Sequence, residues 1–150
     1  MTVAATLALA LPQAILDRLV ADWNVAGAKW DCAALAALYT QDGLLFGGRA
    51  GHFVGRPAIQ AYFASYIDVI VSGTLLLPAP ELRVFAPGCV LAQGTVEFAF
   101  TLAGGERTHS SLRATLVLQL TGDRWLIAAH HFSPTPDAPP LGLIEPRTTR

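Results

Sequence analysis

Two adjacent histidines, His130 and His131, close the apolar run RWLIAAHHFS and are the residues of this chain best suited to chemistry. An imidazole has a reference pKa of about 6.5, and its neutral form both donates and accepts a hydrogen bond. Neighbours on a strand point to opposite faces, so one of the pair faces the interior and the other faces out. That geometry, with no carboxylate or cysteine at ligand spacing, argues against a metal site. His52 sits with Arg49 in the glycine-rich stretch 47–55, where solvated loop residues are the plainer reading, and His109 falls at a strand start and is expected to be exposed. Cys32 and Cys89 form no CxxC pair and read as small buried hydrophobes. Asp17 and Asp22 suit a solvated helix face, and Asp31 suits a helix N-cap. No serine or cysteine has triad-like company, no glycine loop resembles a phosphate cradle, and no cofactor is called for.

The histidines are positioned by the stretch from Ser111 to Ser133, which reads as a hairpin turning at Thr121-Gly122-Asp123. Leu112, Ala114, Leu116, Leu118 and Leu120 occupy every second position, with Arg113, Thr115 and Gln119 between them, the pattern of a strand with one apolar face. The second strand, Trp125 to Phe132, is apolar on both faces and so has something packed on each. A three-residue turn centred on Gly122 puts Leu126, Ala128, His130 and Phe132 on the inner face. A two-residue turn reverses that parity and brings His131 inward. Under the first parity, Trp125, Ile127 and Ala129 form an outer apolar stripe beside Thr95, Thr115 and Val117. A monomer would leave this stripe wet, so a homodimer through the outer face is expected.

Upstream, Pro12 suits the first turn of a helix running to about Ala26, with Ile15, Leu19, Trp23 and Ala26 along one face and Gly27 ending it. A second helix spans Cys32 to Tyr39, and Asp42-Gly43 leads into a brief strand, Leu44 to Phe46. A third helix starts at Gly55-Arg56-Pro57, carries Ile59, Tyr62, Phe63 and Tyr66, and stops at Ser72-Gly73. Thr74 to Phe85 is one strand interrupted at Pro78 and Pro80, and Cys89 to Leu102 is the next. Residues 134–150 hold five prolines, too many for regular structure. The plan is α+β: three helices packed on one face of a bent antiparallel sheet, in one domain spanning 1–150.

Composition narrows the classes. The chain is 53% hydrophobic and 14% charged, well below the roughly 25% charged of an average soluble domain, so a subunit contact or a large apolar pocket is expected. Net charge is -1 and there is no basic run, which excludes a phosphate-backbone partner. Residues 1–11 are apolar, but no cation precedes them and the run is too short to span a bilayer. They read as an arm packed on protein, in a cytoplasmic chain with no membrane partner.

The segments ALAALYTQDGLLF, GRPAIQAYF and RWLIAAHHFSP resemble the nuclear transport factor 2-like superfamily, and within it the SnoaL-like and SgcJ/EcaC-type small proteins. A kinase association domain ending in a similar strand is a cousin. The resemblance spans about Leu16 to Pro136. It implies a cone-shaped fold with a pocket between sheet and helices, often dimeric, in a superfamily of isomerases, cyclases, dehydratases and non-catalytic scaffolds. Ketosteroid isomerases of this superfamily carry an Asp general base where a gap-free match puts Gly47. Their oxyanion-binding Tyr matches Trp23, and their second donor matches near Thr115 or Leu116. Without the base, the steroid isomerase mechanism is not available to this chain.

The resemblance favours His130 as the inward histidine, giving a greasy cone with one imidazole near its mouth. His130 is then either a satisfied core histidine or an acid/base group or anchor. Trp23, Tyr39, Tyr62, Phe98, Leu116, Phe132 and His52 are the candidate ligand contacts, and the ligand is a small apolar molecule, aromatic or polyketide-like. The competing expectation is a non-catalytic dimeric module whose pocket is structural, filled by Phe132 and Tyr62.

Overall fold

The computed structural model describes residues 3–148, with side chains from Leu11 onward. Helix α1 runs from Val3 to Gly27 and α2 from Cys32 to Ala36. Strands β1 (Tyr39–Phe46) and β2 (Phe53–Val54) precede helix α3 (Arg56–Ala64). Five strands complete the chain: β3 (Ile70–Leu76), β4 (Glu81–Ala86), β5 (Cys89–Leu102), β6 (Arg107–Thr121) and β7 (Arg124–Ser133). The seven strands make one sheet in the order β2-β1-β7-β6-β5-β3, and β4 pairs with the first half of β5 while β3 pairs with the second. The sheet is antiparallel except for β1 and β7, which run parallel. The architecture is α+β, with α1 lying against β3, β4 and β7 and α3 against β1 and β2.

Helix α1 buries Ile15, Leu16, Leu19, Trp23 and Ala26 on one stripe and leaves the i,i+4 pair Arg18–Asp22 in water. It starts far upstream of Pro12, which lies inside it. The preceding Thr-Leu-Ala-Leu-Ala-Leu run favours helix strongly enough to carry the chain through the missing amide. The expected apolar arm is therefore helical from Val3, and Met1 and Thr2 lie outside the described residues. Near the other end, Asn24 donates to the Leu75 carbonyl at 3.1 Å and accepts from the Leu75 amide at 2.7 Å, so one side-chain amide stands in for a neighbouring strand on the β3 edge. Trp30 follows at φ 47°, the left-handed region that a bulky residue seldom adopts. It is held there by its backbone bond to Gly27 and by its indole Nε1, which donates to the Phe63 carbonyl at 3.0 Å.

Several boundaries differ from those expected from sequence. Helix α2 stops at Ala36, because Tyr39 pairs with Ile127 and the strand bonds win over one more helical turn. Helix α3 stops at Ala64, and Ser72-Gly73 lies within β3, where Ile70 pairs with Leu102, Ser72 with Thr101 and Gly73 with Phe100 of β5. Pro78 and Pro80 separate two strands and do not merely interrupt one. Cys32 and Cys89 are free thiols and only half-buried. Residues 134–148 form neither helix nor strand.

The hairpin at Gly122 decides which histidine turns inward. Thr121 pairs with Arg124, so the turn has two residues, and Gly122 supplies the positive φ of 65°. By itself this turn would face His131 inward. The register shifts between Val117, paired with Ala129, and Leu118, paired with Ile127, which leaves Ala128 as an extra residue. This bulge restores the other parity for the rest of β7 and sets His130 opposite Leu116 on the inner face. It also changes the outer stripe. Ile127 is 1% exposed and belongs to the core, and Trp125 pairs with Leu120 and packs on the core margin. Leu126 and Ala128 likewise leave the inner set expected of them. Only Ala129 of the expected stripe stays outside, beside Val117, and Leu44 and Phe46 of β1 extend the patch.

Candidate functional site

Between the helices and the inner sheet face lies a cavity of about 150 Å³. Aromatic rings form most of its wall: Trp23 from α1, Trp30 after it, Tyr62, Phe63 and Tyr66 from α3 and its end, Phe98 and Phe100 from β5, and Phe132 from β7. Trp30 is the hub, meeting Trp23, Phe63, Tyr66 and Phe100 edge-on at centroid distances of 5.9 to 6.2 Å. Such edge-to-face pairs are each worth about 0.5–1.5 kcal/mol beyond area burial, which helps to hold Trp30 in its uncommon backbone conformation.

His130 enters this wall 3% exposed. Its Nδ1 lies 2.9 Å from the Tyr39 hydroxyl, and its Nε2 is buried with no partner. Burial, with a smaller contribution from neighbouring His131, pulls the imidazole pKa from 6.5 down to about 3, so His130 is neutral at physiological pH. Burial likewise pushes the Tyr39 hydroxyl well above the ordinary phenol range. Tyr39 is itself fixed from behind. Arg56 at the start of α3 donates to the Tyr39 carbonyl from Nε at 3.0 Å and from Nη2 at 2.6 Å, a forked charge-assisted contact.

The loop after β1 presses on the cavity. Gly48 donates its amide to the Tyr62 hydroxyl at 2.9 Å. A Cβ on Gly47 would stand 2.5 Å from the Tyr62 oxygen and 3.0 Å from the Phe132 ring. The position that matches the isomerase base thus has no room for any side chain, because Tyr62 and Phe132 fill it. Arg49 sits 4.2 Å over the Tyr66 ring and donates to the Ser65 hydroxyl and carbonyl, tying this loop to the end of α3. It is exposed, as expected of a loop residue, and is anchored through its guanidinium as well.

Of the residues singled out from sequence, the structure gathers His130, Trp23, Tyr39, Tyr62, Phe98 and Phe132 around one cavity. Leu116 is buried beside His130 on the other side, lining a small separate void with Leu16, Leu19 and Ile127. His52 is not at the cavity. It is exposed and stacks on Phe46 at 4.3 Å on the outer side of the sheet, where His131 packs on the same ring at 5.3 Å. The glycine-rich stretch thus meets the cavity at Gly48 and packs Arg49 on Tyr66, while His52 lies against Phe46. His109 is exposed, 3.9 Å from Glu97. Trp30, Tyr66, Phe100 and Ser110 were not expected at the site. Trp30 carries no sequence signal for its role, whereas Phe100 and Ser110 share the inner parity of Phe98. Among the described residues no three His, Cys, Asp or Glu side chains come together as a metal would require, and no helix is long and apolar enough to cross a membrane.

A family model described as SnoaL-like domain matches residues 16–137. No curated protein matches the sequence. Among solved structures, a protein assigned as a calcium/calmodulin-dependent protein kinase II association domain from Xanthomonas campestris superposes with a TM-score of 0.73 at 24% identity, over 82% of this chain and 87% of that one. A nuclear transport factor 2-like superfamily protein from Salmonella enterica gives 0.71 at 19% identity, over 90% and 99%. A ketosteroid isomerase-like protein from Erwinia carotovora atroseptica gives 0.64 at 19%, over 79% and 92%. At these identities the likeness speaks for the fold and leaves the activity open. With the family model covering most of the chain, the protein belongs to the SnoaL-like domain family and has a nuclear transport factor 2-like fold.

Proposed function

We propose that this protein is a small-molecule pocket protein, of the SgcJ/EcaC type within its family, that takes a flat, largely apolar molecule, aromatic or polyketide-like, into the cavity beside His130. The observation that carries this reading is a fully buried imidazole with one nitrogen unpartnered in a mostly aromatic wall. Small-molecule sites have this composition, apolar area for affinity and a few convergent polar groups for orientation. His130 is the acid/base group or the anchor, and Trp23, Tyr39, Tyr62, Phe98 and Phe132 are the walls. A non-catalytic module ranks second: Tyr62 and Phe132 line the space and leave about 150 Å³ of it open, where a structural pocket would be filled.

The protein is further proposed to act in the cytoplasm as a homodimer through the outer sheet patch of Leu44, Phe46, Val117 and Ala129. Leu44 and Phe46 are exposed there in the single chain. The test of the pocket is to titrate aromatic and polyketide-like molecules against wild type and His130→Ala. Binding to wild type that weakens in the variant supports the reading. Equal binding, or none by either protein, makes the imidazole structural and favours the module.

A further inference from the structure

We propose that the ligand of this cavity is a neutral single-ring molecule presenting a hydrogen-bond acceptor, above all an aryl ketone or aldehyde oxygen, to the Nε2–H of His130. The inference rests on the pocket reading above and specifies the chemistry of that same site. Its starting point is the pairing of Tyr39 with His130 at 2.9 Å. A buried hydroxyl that fails to donate costs about 1–3 kcal/mol, and the Tyr39 oxygen has Nδ1 as its partner. If the hydroxyl donates to Nδ1, the imidazole proton sits on Nε2 and a single donor is left over. If Nδ1–H donates to the hydroxyl instead, both the tyrosine proton and the Nε2 lone pair go unpaired. The first arrangement is therefore the stable one.

Among the described residues, His130 Nε2 is the one buried side-chain nitrogen or oxygen without a partner. Of the neighbouring donors, Trp30 Nε1 is committed to the Phe63 carbonyl and the Gly48 amide to the Tyr62 hydroxyl, while the Ser110 and Tyr66 hydroxyls also line the cavity. A fixed, unpaired N–H in a dry wall selects an acceptor, and it discriminates against the same molecule lacking one. Among the described residues no Lys, Arg, Asp or Glu lines the cavity, so a charged ligand would lose its hydration without compensation. The volume is close to the ~150 Å³ apolar cavity that takes benzene. A multi-ring ligand would have to extend out of the cavity. An imidazole whose burial holds its pKa at about 3 is also a poor general base near neutrality, which favours the anchor over the acid/base role.

The experiment uses the whole chain labelled with 15N-histidine. Imidazole 15N shifts read the tautomer directly, and titrations compare acetophenone, ethylbenzene and benzoate, which share one ring and differ in the polar group. The expected result is a His130 proton on Nε2, acetophenone binding about tenfold tighter than ethylbenzene, and benzoate weaker than both. In the double variant Tyr39→Phe/His130→Leu, which leaves neither partner orphaned, ethylbenzene binding persists and the preference for acetophenone disappears. A proton on Nδ1, equal binding of acetophenone and ethylbenzene, or a preference for benzoate overturns the proposal while leaving the pocket reading intact. If none of the three binds wild type, this proposal falls, and the pocket reading is decided separately by the wider panel of aromatic and polyketide-like molecules. The tautomer and the binding ratio are read on wild type, so a variant that fails to fold does not decide the outcome.

Discussion

Acidifying the protein from pH 7.5 to 5 places a specific load on His130. Its folded pKa is depressed to about 3, against about 6.5 in the unfolded chain. Between those values the unfolded state holds the proton and the folded state does not, so stability is full above pH 6.5 and falls as pH drops toward 3. The slope in that window is about 1.4 kcal/mol per pH unit, and integration from pH 7.5 to 5 gives a loss of about 2 kcal/mol. For a chain of this size that corresponds to roughly 4–8 °C in melting temperature. Other effects of pH are common to two proteins that differ only at this pair, so the informative quantity is a difference. Wild type and Tyr39→Phe/His130→Leu are melted across the same pH series, and denaturant unfolding gives the free energies. Wild type is expected to lose about 2 kcal/mol more than the variant, with the gap opening below pH 6.5. Parallel curves, or a His130 NMR titration near pH 6.5, would mean that the imidazole reaches solvent in the folded protein and that the desolvation argument is wrong.

Gly47→Ala should lower stability by about 1–3 kcal/mol and weaken ligand binding. The new methyl meets the Tyr62 oxygen and the Phe132 ring, and Tyr62 is wedged among Phe53, Phe63 and Tyr66 and has little room to yield. A wild-type melting temperature in that variant would show that the loop moves freely. Asp31→Ala should cost roughly 0.5–2 kcal/mol, because the carboxylate accepts from the Ala34 amide at 3.1 Å to cap α2, and it should leave ligand affinity unchanged. Lost binding at an unchanged melting temperature would instead make Asp31 a site residue. Sedimentation at micromolar concentration should give a dimeric mass that Phe46→Glu converts to a monomer, and a monomeric wild type would remove the proposed outer-face contact.

Much of the architecture was written locally. Leu112 through Leu120 alternate because one face of a strand must be dry, and the stripe from Ile15 to Ala26 repeats because one face of a helix must be. Those periodicities, with glycines and prolines marking the turns, carried the α+β plan and the apolar inner face of the long strands. The cone-shaped fold and the pocket places of Trp23 and Tyr62 came from the resemblance to the nuclear transport factor 2-like superfamily. Boundaries such as the end of α2 were not legible, since Tyr39 takes its conformation from Ile127, far along the chain.

The inward turn of His130 was expected from a three-residue turn, yet the turn has two residues and the bulge at Ala128 reverses its effect. Nothing in the alanine pair Ala128-Ala129 signals that insertion. A bulge is chosen by the pairing of whole strands: it lets Leu118 and Ile127 stay in the core while Leu116 and His130 face the same way. The hydroxyl that fixes the imidazole is equally silent in sequence, because Tyr39 lies 91 residues from His130 and meets it only when β1 docks in parallel beside β7. The sequence by itself determined that an imidazole would stand in a wall of aromatics. Tertiary structure decided the register that turns His130 inward, which nitrogen is left free and why no side chain fits at Gly47, because each of these depends on contacts between segments far apart in the chain.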